Sequence, residues 1–356
     1  MAAYHLWTVI GTYNYFLYTG DEDFLHRVWP RYVRALEYSL GKMTSLGIMN
    51  ATETADWGRW NYGTLTSSAN MLYVTQYRYI HLTTSLYHSL TTASFLSKHA
   101  PAPAKNYSSI ANTLRSSILT HLFDTETGAL KDTPNSTLTP QDANSMALAF
   151  SLFPDSEKNT SRISSHLTTN WTPIGPEPPE LPNNISPFIS SLELQGHFIS
   201  GHPHRAIRLI LGLWGWYLTH PNGTGSTVPE GFLVDGTWGY RGERGYRSDP
   251  RYVSHAHGWS SGPTAALTEY LVGLKITGVQ GSEWVFRPVV GVGGVNKAEA
   301  GFVTGLGGFR GGFSVKEKKV FWDAPEGTRG WVLVEGLGIE GRWVEGGRGE
   351  LSLNLD

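Results

Sequence analysis

The sequence predicts a mainly α chain whose helical hairpins close into a barrel, followed by a small C-terminal antiparallel β-sandwich domain. Three observations carry this expectation. Apolar residues recur at three-and-four spacing through most of residues 1–275. From Ile276 that period gives way to short alternating strands punctuated by glycine, as in EWVFRPVV, KKVFWDA and GWVLVEG. No fixed-period self-similarity runs through the helical part, which sets aside a stacked solenoid of repeats. The expected domains are therefore residues 1–275, helical, and 276–356, β.

Taken in order, residues 3–18 read as an amphipathic helix ended by Gly20, with Asp21 capping a second helix. That second helix carries Phe24, Leu25, Val28, Trp29, Tyr32, Val33, Leu36 and Leu40 at three-and-four spacing, and Pro30 within it predicts a kink or break. The polar-aromatic loop 50–63 leads into a long helix expected from Ser67 to Lys98, and another covers Tyr107 to Phe123. DTETGAL reads as a turn followed by an extended piece. TPQDANSMALAFSLF and SEKNTSRISSHLTTN read as helices with polar caps, and TPIGPEPPELPNN as a proline-rich loop. Helices over 186–201, 204–218 and 265–274 complete the pattern. In the β part, GVGG, GLGG and GGRG are turns, because none lies between a strand and a helix as a phosphate loop would.

Composition narrows the partners. Only 16% of the 356 residues are charged and the net charge is −2, so no basic field points to nucleic acid. The 13 Trp and 17 Tyr are a high load of rings with polar edges, a chemistry suited to the C–H faces and hydroxyl rims of sugars. With no Cys, there is neither disulfide nor thiolate site. N-x-S/T sequons at Asn50, Asn106, Asn135, Asn159, Asn170, Asn184 and Asn222 point to a secreted glycoprotein. The opening MAAYHLWTVIGTYNYFLYTG lacks the basic start and cleavage site of a signal peptide and is too polar to span a bilayer. An extracellular chain would then carry its targeting segment upstream of Met1.

The chemistry concentrates between Asn222 and Pro263, about forty residues between two helical runs, a connection length that is usually functional or disordered. Trp238, Tyr240, Tyr246, Tyr252 and Trp259 make disorder costly, so the stretch is expected to be an ordered loop lining a site, with Glu230 near its centre. On residues alone Glu230 is either a solvated loop acid or a carboxylate tuned by its surroundings. Asp56 and Trp57 are either a helix cap with a core aromatic or a hydrogen-bonding and stacking pair for a sugar. Glu193 and, one turn on, His197 are either buried structural groups or face the barrel lumen. His255 and His257 lack a recognisable third metal ligand, so neither metal nor cofactor is expected. Arg241, Glu243, Arg244 and Arg247 fit ion pairs within the loop.

Several of these stretches resemble one family. GSTVPEG resembles the G-[AS]-T-T-x-x-E segment of the α-L-rhamnosidases with a six-hairpin, (α/α)6-barrel domain. VSHAHGWSSGPTAALTEYLVGL is similar to their Ser-x-x-His…Gly segment and following helix, and ADWGRW to their Asp-Trp loop. The resemblance implies a metal-free inverting glycoside hydrolase that removes terminal rhamnose from glycosides. It makes Glu230 the general base, Asp56 and Trp57 sugar-subsite residues, and His257 a polar contact. Trp238 and Trp259 would widen the platform, with Glu193 a further candidate contact. The family's general acid lies in an acidic motif before the helix matching residues 3–18, and no stretch here matches it. Fewer helices precede residue 276 than six hairpins require. The expectation is thus a barrel incomplete at its N-terminus, either a weak hydrolase or a non-catalytic carbohydrate-binding remnant. A purely structural helical scaffold is the third reading.

Overall fold

The computed structural model describes residues 2–50, 57–58, 80–102, 105–240, 249–334 and 339–354. Asp56, Tyr246, the first part of the expected long helix (residues 67–79), and the group Arg241, Glu243, Arg244 and Arg247 lie outside these residues. Helix α1, Ala2–Thr19, carries no charged residue and buries Leu6, Val9, Ile10, Phe16 and Leu17. Asp21 then accepts a hydrogen bond from the Phe24 N–H (2.8 Å) and starts α2, Glu22–Leu40. This helix runs through Pro30 rather than stopping there. Pro30 is exposed, so water can serve the carbonyl one turn earlier that the ring leaves without an N–H, while Leu25, Trp29, Tyr32 and Leu36 anchor the opposite face.

Helix α3, Ile80–Leu96, packs against α1 and against α4, Tyr107–Leu122. Asn106 caps α4 through the Ser109 N–H (3.0 Å), and Tyr107, Ala111, Leu114, Ile118 and Leu122 form its buried stripe. The DTETGAL stretch is a hairpin of β1, Phe123–Asp124, with β2, Ala129–Leu130. Helix α5, Gln141–Ala149, is buried along nearly its whole length between α3, α6 (Glu157–Leu167) and α7 (Pro187–Ile199). Two short pairs follow in the chain: β3, Trp171–Thr172, with β4, Gly175–Pro176, and β5, Asn184–Ile185, with β6, Phe232–Leu233. Helix α7 packs in turn on α8, Pro203–Leu209, and on α10, Gly262–Ala266.

Two helical runs differ from expectation. After α8 the chain takes a π-helical turn, Ile210–Gly215, before α9, Trp216–Thr219. After α10 it takes another, Leu267–Leu271. Each turn shifts the facing of later side chains by a residue, a change that three-and-four spacing does not reveal.

The C-terminal strands are β7 (Leu274–Ile276), β8 (Glu283–Phe286), β9 (Lys297–Thr304), β10 (Gly307–Ser314), β11 (Lys319–Val334) and β12 (Ile339–Ser352). They form one six-stranded sheet, and its β8–β11 pair is parallel, where the sequence suggests only antiparallel pairing. The long connection from β8 through β9 and β10 returns β11 in the same direction as β8. The core of the sheet, including Trp284, Phe286, Phe309, Phe313, Val320, Trp322 and Val332, also takes in Leu17 of α1. Gln280 Nε2 donates to the Thr19 carbonyl (2.5 Å) across the same contact. Gly273 joins the two parts at φ +77°, and a Cβ there would lie 2.1 Å from the Arg287 carbonyl oxygen, so only glycine fits. Among the described residues no helix is long and apolar enough to cross a membrane.

His88 of α3 stacks on Phe150 (4.2 Å between ring centres, 6° apart). Burial, with the Lys275 charge acting in the same direction, pushes its imidazole down to about 4. Between pH 6.5 and 4 the unfolded chain therefore takes up a proton that the folded chain refuses. This contribution is fully present above pH 6.5 and is lost as pH falls toward 4, by at most roughly 3 kcal/mol. His88→Phe, which keeps a ring on Phe150, should flatten the acid limb of the melting temperature against pH. Identical limbs in both proteins would refute the assignment.

Candidate active site

The site is built around the segment that follows α9. A turn held by Gly223 N–H to the His220 carbonyl (2.9 Å) and by the Thr224 and Thr227 hydroxyls (2.6 Å) leads into Val228–Glu230. That segment lies alongside Ser254–His257. The Glu230 N–H donates to the Ser254 carbonyl (2.7 Å), the His257 N–H to the Val228 carbonyl (2.9 Å), and the Thr227 hydroxyl to the His255 carbonyl. Glu230 is 3% exposed, so its carboxyl does not stand in bulk solvent.

Aromatic side chains connect Glu230 to Trp57. Tyr240 is fully buried. A Cβ on Gly231 would lie 2.5 Å from its ring carbons, and one on Gly58 would lie 2.6 Å from its phenol oxygen. One tyrosine therefore spans from the neighbour of Glu230 to the neighbour of Trp57, and glycine at both points lets the backbone approach the ring. Trp57, Leu181, Tyr240 and Val253 share a cluster against which Trp259 and Phe188 pack. Trp259 stacks on Phe188 (5.1 Å, 19°), meets the His257 ring at 4.3 Å, and donates its indole N–H to the Glu230 carbonyl (3.2 Å).

Beneath Trp57 lies a chain of buried polar groups. The indole N–H of Trp57 donates to Asp142 Oδ2 (3.2 Å). Glu180 accepts the N–H groups of Gln141 and Asp142 (2.8 Å each), placing a carboxylate at the positive end of α5. The Gln141 side chain donates to Glu193 Oε2 (2.6 Å), while Glu193 Oε1 accepts from Trp171 Nε1 (2.6 Å) and faces His197 Nε2 (3.2 Å). His197 Nδ1 meets Ser164 Oγ (2.8 Å), which accepts from Arg205 (2.8 Å). Arg205 can only donate, so Ser164 Oγ accepts from it.

The sequence candidates thus separate. Glu230, Trp57, His257 and Trp259 come together. Trp238 packs on the flank with Tyr217 and His255, at 5.6 and 4.9 Å between ring centres. Glu193 is fully buried with both oxygens facing protein donors. Asp56 lies outside the described residues. His255, whose imidazole burial pushes below its ordinary value, meets the Tyr217 hydroxyl at 3.3 Å. Among the described residues no three of His, Cys, Asp or Glu gather as metal ligands. Sequence reasoning passed over Asp142 and Glu180, which read only as helix-start and loop acids. It also passed over Ser260, whose buried role has no local signature, and counted Tyr240 only among the loop's rings.

Glu230 is buried and its backbone carbonyl is tied to an aromatic cluster, and residues 2–172 match the family described as the bacterial alpha-L-rhamnosidase 6 hairpin glycosidase domain. Residues 2–172 therefore carry the likeness to that α-L-rhamnosidase domain family. Its fold is similar to that of a GH78 family rhamnosidase of Bacillus sp. GL1 (TM-score 0.69, 19% identity), over 96% of this chain and 34% of that one. An α-L-rhamnosidase from Aspergillus terreus is matched at TM-score 0.65 and 16% identity, over 98% of this chain and 38% of that one. A Streptomyces avermitilis alpha-L-rhamnosidase complexed with L-rhamnose is matched at TM-score 0.65 and 17% identity, over 94% and 31%. The chain spans about a third of the length of these three solved structures. No curated protein matches it.

Proposed function

We propose that the chain acts on terminal α-L-rhamnosyl units of glycosides, with Glu230 as the base that activates water in an inverting hydrolysis. The observation that carries this reading is Glu230 itself, 3% exposed and joined to the Trp57–Tyr240–Trp259 wall. Asp56 and Trp57 form the sugar subsite, His257 adds a polar contact, and Trp238 supports the rim. Glu193 is read as architectural, because its donors Gln141 and Trp171 already hold both oxygens. In the same reading the helices belong to an (α/α)6 toroid, the sheet belongs to a β-sandwich, and the protein is extracellular. The exposed sequon residues Asn106, Asn135 and Asn222 suit glycans, whereas Asn184 is buried.

Inversion needs two carboxyls roughly 6.5–9.5 Å apart with a water between them and the sugar. No stretch of residues 1–356 matches the family's acidic motif, and this favours a second reading, a carbohydrate-binding protein that does not turn over. L-rhamnose, the ligand in the Streptomyces avermitilis complex, is the first probe. Saturating L-rhamnose should raise the melting temperature as a ligand of the folded state does, and Trp57→Ala should abolish the rise. No rise in the unaltered protein would rule out both readings. A rise without turnover of any aryl rhamnoside would leave only the second.

A further inference from the structure

The geometry points to Ser260 as a positioning residue for Glu230, itself held by Trp214 from the π-helical turn Ile210–Gly215; the proposal rests on the reading of Glu230 as the base. Ser260 ends the short helical turn Gly258–Ser260 and is fully buried. Its hydroxyl donates to the Pro229 carbonyl at 2.6 Å, and its own carbonyl accepts from Trp214 Nε1 at 2.8 Å. Pro229 has no N–H, so that carbonyl is the only backbone hydrogen-bonding group through which the residue before Glu230 can be fixed. Beyond it, the Glu230 N–H is taken by Ser254 and the Glu230 carbonyl by Trp259.

The chain of support therefore runs from a helix through an indole and a hydroxyl to the backbone beside the carboxyl. Buried hydrogen bonds of this kind hold a reacting group to the small tolerance that catalysis requires. The π turn has a physical reason in this scheme. It sets the facing of Trp214, whose indole is 3% exposed, so that its N–H meets Ser260 rather than the apolar packing around Leu213.

Amide hydrogen exchange on the full chain, with Ser260→Ala and Trp214→Phe, tests the proposal. Trp214→Phe keeps an aromatic ring while removing the donor and part of the indole's volume, which the α4 control amides account for. Exchange at the Glu230 and His257 amides should speed up by about tenfold or more in either variant, as expected when a buried carbonyl loses its partner. The Leu114 and Ile118 amides of α4 should not change. Unchanged exchange at Glu230 in both variants overturns the proposal, as does an equal acceleration at α4, which would mark general loosening.

L-rhamnose affinity supplies the second arm. Ser260→Ala should weaken binding in the unaltered protein but add nothing to Glu230→Gln, and additive losses would overturn the proposal. Absence of L-rhamnose binding by the unaltered protein would count against the proposed function, while the exchange result still decides the clamp.

Discussion

Glu230→Gln is expected to lower hydrolysis of 2,4-dinitrophenyl α-L-rhamnoside by about 10²–10⁴ in kcat/KM. The substrate is chosen because dinitrophenolate departs without being protonated, so the measurement does not depend on a general acid. Gln matches Glu in size and keeps one acceptor, but it cannot take a proton from water. The loss should appear mainly in kcat. On the proposed reading, in which the chain lacks a general acid, a poorer leaving group that needs a proton should be turned over more slowly by a similar factor. Equal rates for Glu230→Gln and the unaltered protein on the dinitrophenyl substrate would remove Glu230 from the mechanism.

Glu193→Ala is expected to destabilise the fold by about 3–5 kcal/mol, measured by urea unfolding with an unchanged m-value. The substitution strands donors from Gln141, Trp171 and His197 in a site with no water access, and it cuts the line through Ser164 to Arg205. Glu193→Gln should lose less, since its amide oxygen still accepts. A change within about 1 kcal/mol for Glu193→Ala would refute the architectural role and return Glu193 to the sugar-binding candidates.

Local chemistry was readable wherever it acted over a few residues. Asp21 announces its helix by type and position, and it caps as expected. The helix-to-strand change was visible near residue 276, within two residues of the start of β7 at Leu274. Long-range decisions were not legible. Nothing near Asp142 says that an indole 85 residues earlier will donate to it. The three-and-four period of residues 204–218 tolerates a π turn, so the facing of Trp214 stayed hidden. The parallel β8–β11 pair depends on the path of two intervening strands, not on the alternation within either one. The family resemblance pointed to Glu230 and Trp57, whereas the packing of Tyr240 against the glycine beside each is visible only in the structure.

The splice at Gly273 has a consequence for dissection of the molecule. The glycine fits against the Arg287 backbone with no slack, and Leu17 from the first helix is sealed under the sheet. Scission near residue 275 would uncover Leu17 together with Tyr13 and Tyr18 of the first helix, leaving an apolar patch on the helical part. In a calorimeter the intact polypeptide should melt as one endotherm, its helical and pleated portions lost together.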